Sequence, residues 1–180
     1  MEASKNLPNV ASHLPFHNLQ LLKPDHPRLR LTSIPVTSFD RQTAYLALGL
    51  YKLLDEVHGL GLSASQAGVP LRLIVVKKNV LPNDVLVLAN PVIVKTAGEQ
   101  SSREGCFSVP KDIWFKPIKR ALRVVVEYQT LAGEHKRVKA HGLGAAVLQH
   151  QIDLLSGKLM TDYLPAADEP TAEAPLKEAV

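Results

Sequence analysis

The residues from Gln149 to Gly157 read Gln-His-Gln-Ile-Asp-Leu-Leu-Ser-Gly. Their spacing is that of a His-Glu-x-x-His metallohydrolase helix with two parts replaced. Residues four apart on a helix share a face, so two histidines at that spacing can grip one metal ion. The Glu between them takes a proton from metal-bound water. Here His150 fills the first ligand position, Gln151 stands in place of the Glu, and Leu154 in place of the second His. An amide does not accept a proton near neutral pH, and an alkyl chain has no donor atom for a metal. Asp153, three residues after His150, is the nearest carboxylate able to rescue such a site, because carboxylate and His ligands at that separation occur in helical metal sites.

Two further segments hold reactive or polar groups. Gly59-Leu60-Gly61-Leu62-Ser63-Ala64-Ser65-Gln66-Ala67-Gly68 is rich in small residues, which let a backbone approach a ligand. Gln66 offers an amide donor for a carbonyl oxygen. The loop is not a nucleotide-binding one: no Lys-Ser/Thr follows the glycines, and no strand is read before them. Glu104-Gly105-Cys106-Phe107-Ser108-Val109-Pro110 contains the chain's single cysteine. Cys106 reads either as a small buried hydrophobe or as a thiolate ligand or nucleophile. With His150 it could form a Cys-His pair, whose orienting third group is not legible from spacing.

The elements that must position these residues follow from periodicity. A helix is predicted from Asp40 to Val57, with Leu46, Leu50, Leu53, Leu54 and Val57 on one face, Asp40 as N-cap and Gly59 as stop. Leu71–Val76 and Val85–Ala89 read as strands joined by turn residues Pro82, Asn83 and Asp84. Pro91–Lys95 continues extended. Leu122–Thr130 is a strand that turns at Gly133 into Val138. A second helix runs from Gly142 through Leu155, with Leu143, Ala146, Val147, His150 and Leu154 on one face and Gly157 as cap. Leu21–Val36, with three prolines, reads as extended chain laid on a surface. The expected organisation is a flexible arm over residues 1–19, one α+β domain over 20–164, and a disordered Pro-, Ala- and Glu-rich tail over 165–180.

The chain of 180 residues is long enough for one ordinary core. Net charge is +4. Its basic residues gather at Lys116, Lys119, Arg120 and Arg123, and at Lys136, Arg137 and Lys139, and read as solvated strand faces. No aromatic stripe accompanies them, which argues against a nucleic-acid partner. One cysteine excludes an intramolecular disulfide. No stretch is apolar enough to span a membrane, and no secretory signal is read at the start. A cytoplasmic protein is expected.

Together and in this order, the three segments resemble peptide deformylases. That family carries a Gly-x-Gly-Leu-Ala-Ala-x-Gln loop, a Glu-Gly-Cys-Leu-Ser segment and a Gln-His-Glu-x-Asp-His-x-x-Gly helix. They are matched here by Gly59 to Gln66, Glu104 to Ser108, and Gln149 to Gly157. Pro24-Asp25-His26-Pro27-Arg28-Leu29-Arg30, Asn90-Pro91 and Arg120 match the flanks. The resemblance spans about Leu21 to Leu164. It implies an α+β fold of antiparallel strands around a central C-terminal helix carrying His150. It also implies a divalent metal (Fe, Zn or Ni) held by a Cys and two His, and removal of the formyl group from N-terminal methionine. Position by position, Cys106 and His150 match two metal ligands, and Gln66 and the Phe107 N–H match the oxyanion donors. Gly61 and Leu62 match the peptide-pairing loop, and Leu143, Ala146 and Val147 match the side-chain pocket. Leu154 and Gln151 depart from the pattern at the third ligand and the catalytic Glu. Ser63, Ser65 and Phe107 are smaller departures.

The expectation is therefore a fold that keeps a pocket for a peptide N-terminus or small ligand, with a possible protein partner, while ordinary metal-dependent deformylation is lost. Any metal would be absent or weakly bound. The alternative is an active hydrolase that uses Cys106 and His150, with a rescued metal site.

Overall fold

The computed structural model describes residues 18–164. The expected arm before Asn18 and the tail after Leu164 lie outside the described residues. Seven main elements follow in order: α1 (Arg41–Glu56), β1 (Gly61–Ser63), β2 (Leu73–Val76), β3 (Val87–Arg103), β4 (Pro117–Gln129), β5 (His135–His141) and α2 (Leu143–Leu155). The five strands form one antiparallel sheet in sequence order, with β1 and β5 at its edges.

The two helices lie against opposite faces of this sheet. Alternation along β2 shows how. Leu73 and Val75 join α1 residues Leu46, Leu50 and Leu54 in one cluster. Ile74 and Val76 join α2 residues Ala145, Val147, Leu148 and Leu155 in another. A strand buried on both faces needs no polar residue, which is why Leu-Ile-Val-Val reads as a continuous apolar run. Every residue of β2 is fully buried.

Both predicted helices form within a residue or two of their expected ends. Asp40 caps α1: its carboxylate accepts from the N–H groups of Gln42 (2.9 Å) and Thr43 (3.1 Å). After α2 the chain turns at Gly157, where φ is +72° and an added Cβ would sit 2.3 Å from the Arg30 carbonyl oxygen. Only glycine tolerates both conditions.

The strands differ more from expectation. β1 forms inside what reads as a Gly-rich loop. β3 runs eight residues beyond Lys95 through Thr-Ala-Gly-Glu-Gln-Ser-Ser-Arg, a polar and exposed stretch with no apolar alternation. Ladder pairing with β4, from Lys95↔Val125 to Arg103↔Pro117, holds it extended. β4 correspondingly starts at Pro117, five residues before the expected strand. The Leu21–Val36 segment is tied down rather than merely laid on a surface. Leu29 and Val36 are buried, the Ser33 N–H donates to the Leu155 carbonyl (2.8 Å), and Asn90 clasps the Val36 peptide from both sides at 2.8 Å.

Candidate functional site

Three elements converge on one cavity of about 310 Å³. β1 and the turn after it bring Gly61 and Gln66. The β3–β4 connection brings Glu104, Cys106, Phe107, Trp114 and Phe115. α2 brings Leu143, Ala146, Val147, His150 and Gln151. Of the residues expected at a site, Gly61, Gln66, Cys106, Phe107, Leu143, Ala146, Val147, His150 and Gln151 all line this cavity. Leu62, Asp153 and Leu154 do not.

The reasons are physical. Leu62 pairs with Val75, and its side chain is fully buried among α1 and β2 residues. Antiparallel ladders alternate, so one residue bonds its partner strand and the next points its N–H and C=O away. The Lys77 N–H donates to the Leu60 carbonyl (2.8 Å), which places Leu60 and Leu62 on the β2 side. Gly61, between them, lines the cavity and turns its C=O away from β2, where it accepts from Gln151 Nε2 at 3.0 Å. Asp153, the candidate rescue donor, is committed elsewhere: its Oδ2 accepts from Arg120 Nη1 (2.5 Å) and from the Tyr163 hydroxyl (2.7 Å).

Around His150 the structure supplies a group that spacing leaves unnamed. Glu104 Oε2 lies 2.9 Å from His150 Nδ1. The same carboxylate takes a two-pronged pair from Arg120, Nε–Oε1 at 2.8 Å and Nη2–Oε2 at 3.0 Å. Arg120 is therefore no solvated basic residue. Its side chain is 3% exposed and Glu104's 9%. Arg120 also sits over the Tyr163 ring at 4.6 Å. This chain of Tyr163, Asp153, Arg120 and Glu104 fixes the imidazole from behind. In the sequence Arg120 was visible as one of a basic group and as a flank of the family pattern, and Glu104 as the start of the Cys106 segment, but neither as a partner of His150.

The charges are mutually supported. Burial alone would raise Glu104, but His150 and Arg120 outweigh it and hold the carboxyl at about 2. Burial pulls His150 down, yet hydrogen bonds with Cys106 and Glu104 carry it up to about 9. Burial likewise raises the Cys106 thiol, and His150 and Ser108 together more than reverse this, leaving it below the ordinary thiol value.

Gln66 is 2% exposed. Its Oε1 accepts from the Ser63 N–H (3.1 Å), and its Nε2 donates to Ser108 Oγ (3.1 Å). That amide is thereby oriented, with its second N–H available to the cavity. The two loop departures form a buried chain: Ser63 Oγ and Ser65 Oγ lie 2.9 Å apart, and Ser65 Oγ donates to the Leu154 carbonyl at 3.3 Å. Phe107 stacks edge-on against Trp114 with centroids 5.6 Å apart, closing one wall. Leu143 (62% exposed) and Phe115 (56%) stand at the mouth as an apolar rim.

The donor set does not fit a metal of the kind the resemblance implies. Cys106 and His150 supply two donors. At the third position Leu154 is 1% exposed and belongs to the same buried cluster as Cys106, with Leu29, Val109, Ile118, Leu159 and Met160. Among the described residues no group of three or more His, Cys, Asp or Glu side chains is arranged to hold an ion. Glu104 is spoken for by Arg120 and His150. Gln151 faces the cavity but is turned onto the sheet edge, its Nε2 donating to the Gly61 carbonyl at 3.0 Å.

Among the described residues no helix is long and apolar enough to cross a membrane. The polypeptide deformylase family model matches residues 18–169. A peptide deformylase of Thermomicrobium roseum is 39% identical over 166 residues, covering 82% of this chain and 92% of its own length. One from Nitrosococcus oceani is 36% identical over 145 residues, covering 81% and 86%. A crystal structure of a peptide deformylase from Legionella pneumophila superposes with a TM-score of 0.76 at 35% identity, covering 81% of this chain and 85% of that one. With the antiparallel sheet, the cavity-lining α2 and the matched segments in place, this chain belongs to the peptide deformylase family.

Proposed function

We propose that this chain is a family member that binds a peptide N-terminus, or a small ligand of similar shape, without metal-dependent deformylation. The family is metal-dependent and acts on formylated peptides. The observation that carries the reading is Leu154. A fully buried leucine is worth about 1.5–3 kcal/mol in place, and here it fills the third donor position with apolar volume packed beside Cys106. Gln151 adds to this, because general acid–base catalysis contributes roughly 10²- to 10⁴-fold and an amide forfeits it.

What remains suits binding. Gln66 presents an N–H, and the Phe107 N–H has no protein acceptor among the described residues. Both residues line the cavity, and an amide N–H is the kind of donor a carbonyl oxygen accepts from. Ala146, Val147 and Leu143 offer an apolar wall for a methionine-like side chain. Cytoplasmic residence and a protein partner fit this reading; a nucleic-acid partner does not. Two measurements test it. Calorimetry with a formyl-methionyl peptide should give saturable binding. The same protein, loaded anaerobically with Fe(II) or Zn(II), should show no turnover of that peptide. Turnover at ordinary enzymatic rates would refute the loss of deformylation.

One observation favours a second reading. Glu104 holds His150 Nδ1 at 2.9 Å, Cys106 lines the same cavity with its thiol drawn toward ionisation by His150, and Gln66 with the Phe107 N–H could receive an oxyanion. That is the arrangement of a thiol hydrolase. In it Cys106 Sγ attacks an amide carbonyl carbon, and His150 passes the thiol proton to the leaving amine. Water then cleaves the thioester. Cys106→Ser should abolish any such reaction; a hydrolysis that survives it excludes this reading.

A further inference from the structure

The amide at position 151 does more than remove a base. An ionised carboxylate has no proton to offer a carbonyl, whereas Gln151 donates through Nε2 to the Gly61 carbonyl at 3.0 Å. That carbonyl belongs to an edge strand and points away from β2, as the Leu60–Lys77 and Leu62–Val75 register requires. It is the acceptor an added strand would use, because a peptide lying along a sheet edge pairs through just such outward groups. The fit over Gly61 is close: a Cβ there would meet Val147 Cγ1 at 2.9 Å and Gln151 Cγ at 3.2 Å. Meanwhile Gln151 Oε1 is buried and makes no hydrogen bond among the described residues. The contact thus satisfies one polar group while stranding another, an arrangement that a competitor can displace at small net cost.

We propose that Gln151 is an internal stand-in for the ligand backbone: its side-chain N–H holds the Gly61 carbonyl that a peptide N–H would take, and an extended peptide binds by displacing it. This rests on the peptide-binding reading above. Displacement releases Oε1 from its unpartnered position and opens the sheet edge in the same movement. Position 151 therefore sets the affinity of the pocket for ligands carrying backbone N–H groups, and leaves ligands without them unaffected.

The test is calorimetric titration of the full chain and its Gln151→Met variant. The probes are a formyl-methionyl tripeptide and the same tripeptide with every backbone nitrogen methylated. Met keeps the side-chain length but cannot donate; Gln151→Leu serves as a second variant if Met disturbs the melt. Removing a competing hydrogen bond of ordinary net strength should tighten the tripeptide about 2- to 10-fold, with no gain for the methylated probe. Equal or weaker binding by the variants, with the parent chain still binding, overturns the displacement while leaving peptide binding intact. An equal gain for the methylated probe overturns it too, since the effect is then one of shape. Absence of binding by every protein removes the peptide-binding reading and the displacement with it.

Discussion

Leu154→His should create a metal response that the parent chain lacks. Leu154 is 1% exposed and lies in the cluster that contains Cys106, one helical turn beyond His150. Replacing it removes about 1.5–3 kcal/mol of apolar burial. An imidazole buried there without a partner adds about 1–3 kcal/mol. The metal-free variant should therefore be about 2.5–6 kcal/mol less stable. For a domain of this size each kcal/mol moves Tm by about 2–4 °C, so the melt should fall by about 5–24 °C. A metal at one hundred times its Kd returns about 2.7 kcal/mol, or about 5–11 °C. The assay is thermal denaturation followed by circular dichroism, with a non-chelating reductant, in Zn(II) and again in a chelator. The parent chain should show no metal-dependent shift. A Zn(II) shift in the parent chain as large as the variant's would refute the reasoning, because two donors would then suffice. So would a variant indifferent to Zn(II), because position 154 would not then converge on Cys106 and His150. Adding Gln151→Glu to Leu154→His should raise deformylation over the single variant by about 10²- to 10⁴-fold.

Other consequences concern the scaffold behind the site. Arg120→Met leaves Glu104 and Asp153 without their shared cation and should destabilise the chain by about 3–5 kcal/mol, read by urea denaturation. Glu104 is held at about 2 against an ordinary 4.5. A lowered folded-state value contributes stability above the unfolded value, and that stability is lost as pH falls toward the folded one. Unfolding free energy should thus decline between about pH 4.5 and 2, and Glu104→Gln should flatten that limb. Gly157→Ala forces a Cβ against the Arg30 carbonyl at positive φ and should lose about 2–4 kcal/mol in the same denaturation assay.

Much of this protein is local and was legible as sequence. Helical periodicity and the Asp40 cap set α1, and the apolar face with Gly157 set α2, because a helix is specified by residues three and four apart. The chemical deficit was legible too: a leucine is not a ligand wherever it folds. The outer half of β3 was not, because Thr96 to Arg103 carries no apolar alternation and is extended only through its ladder with β4. β1 was missed because three residues in a Gly-rich loop become a strand only when β2 lies beside them.

The partners of the reactive groups were likewise decided by tertiary structure. Glu104 reaches His150 across 46 residues, and Arg120 leaves its basic neighbours to join them in the interior. Asp153 and Gln151 sit two residues apart on one helix, yet one turns to Arg120 and the other to the Gly61 carbonyl. Side-chain identity fixes which atoms can give or take a proton; which atom stands opposite depends on strand register and helix rotation, and those are properties of the packed chain.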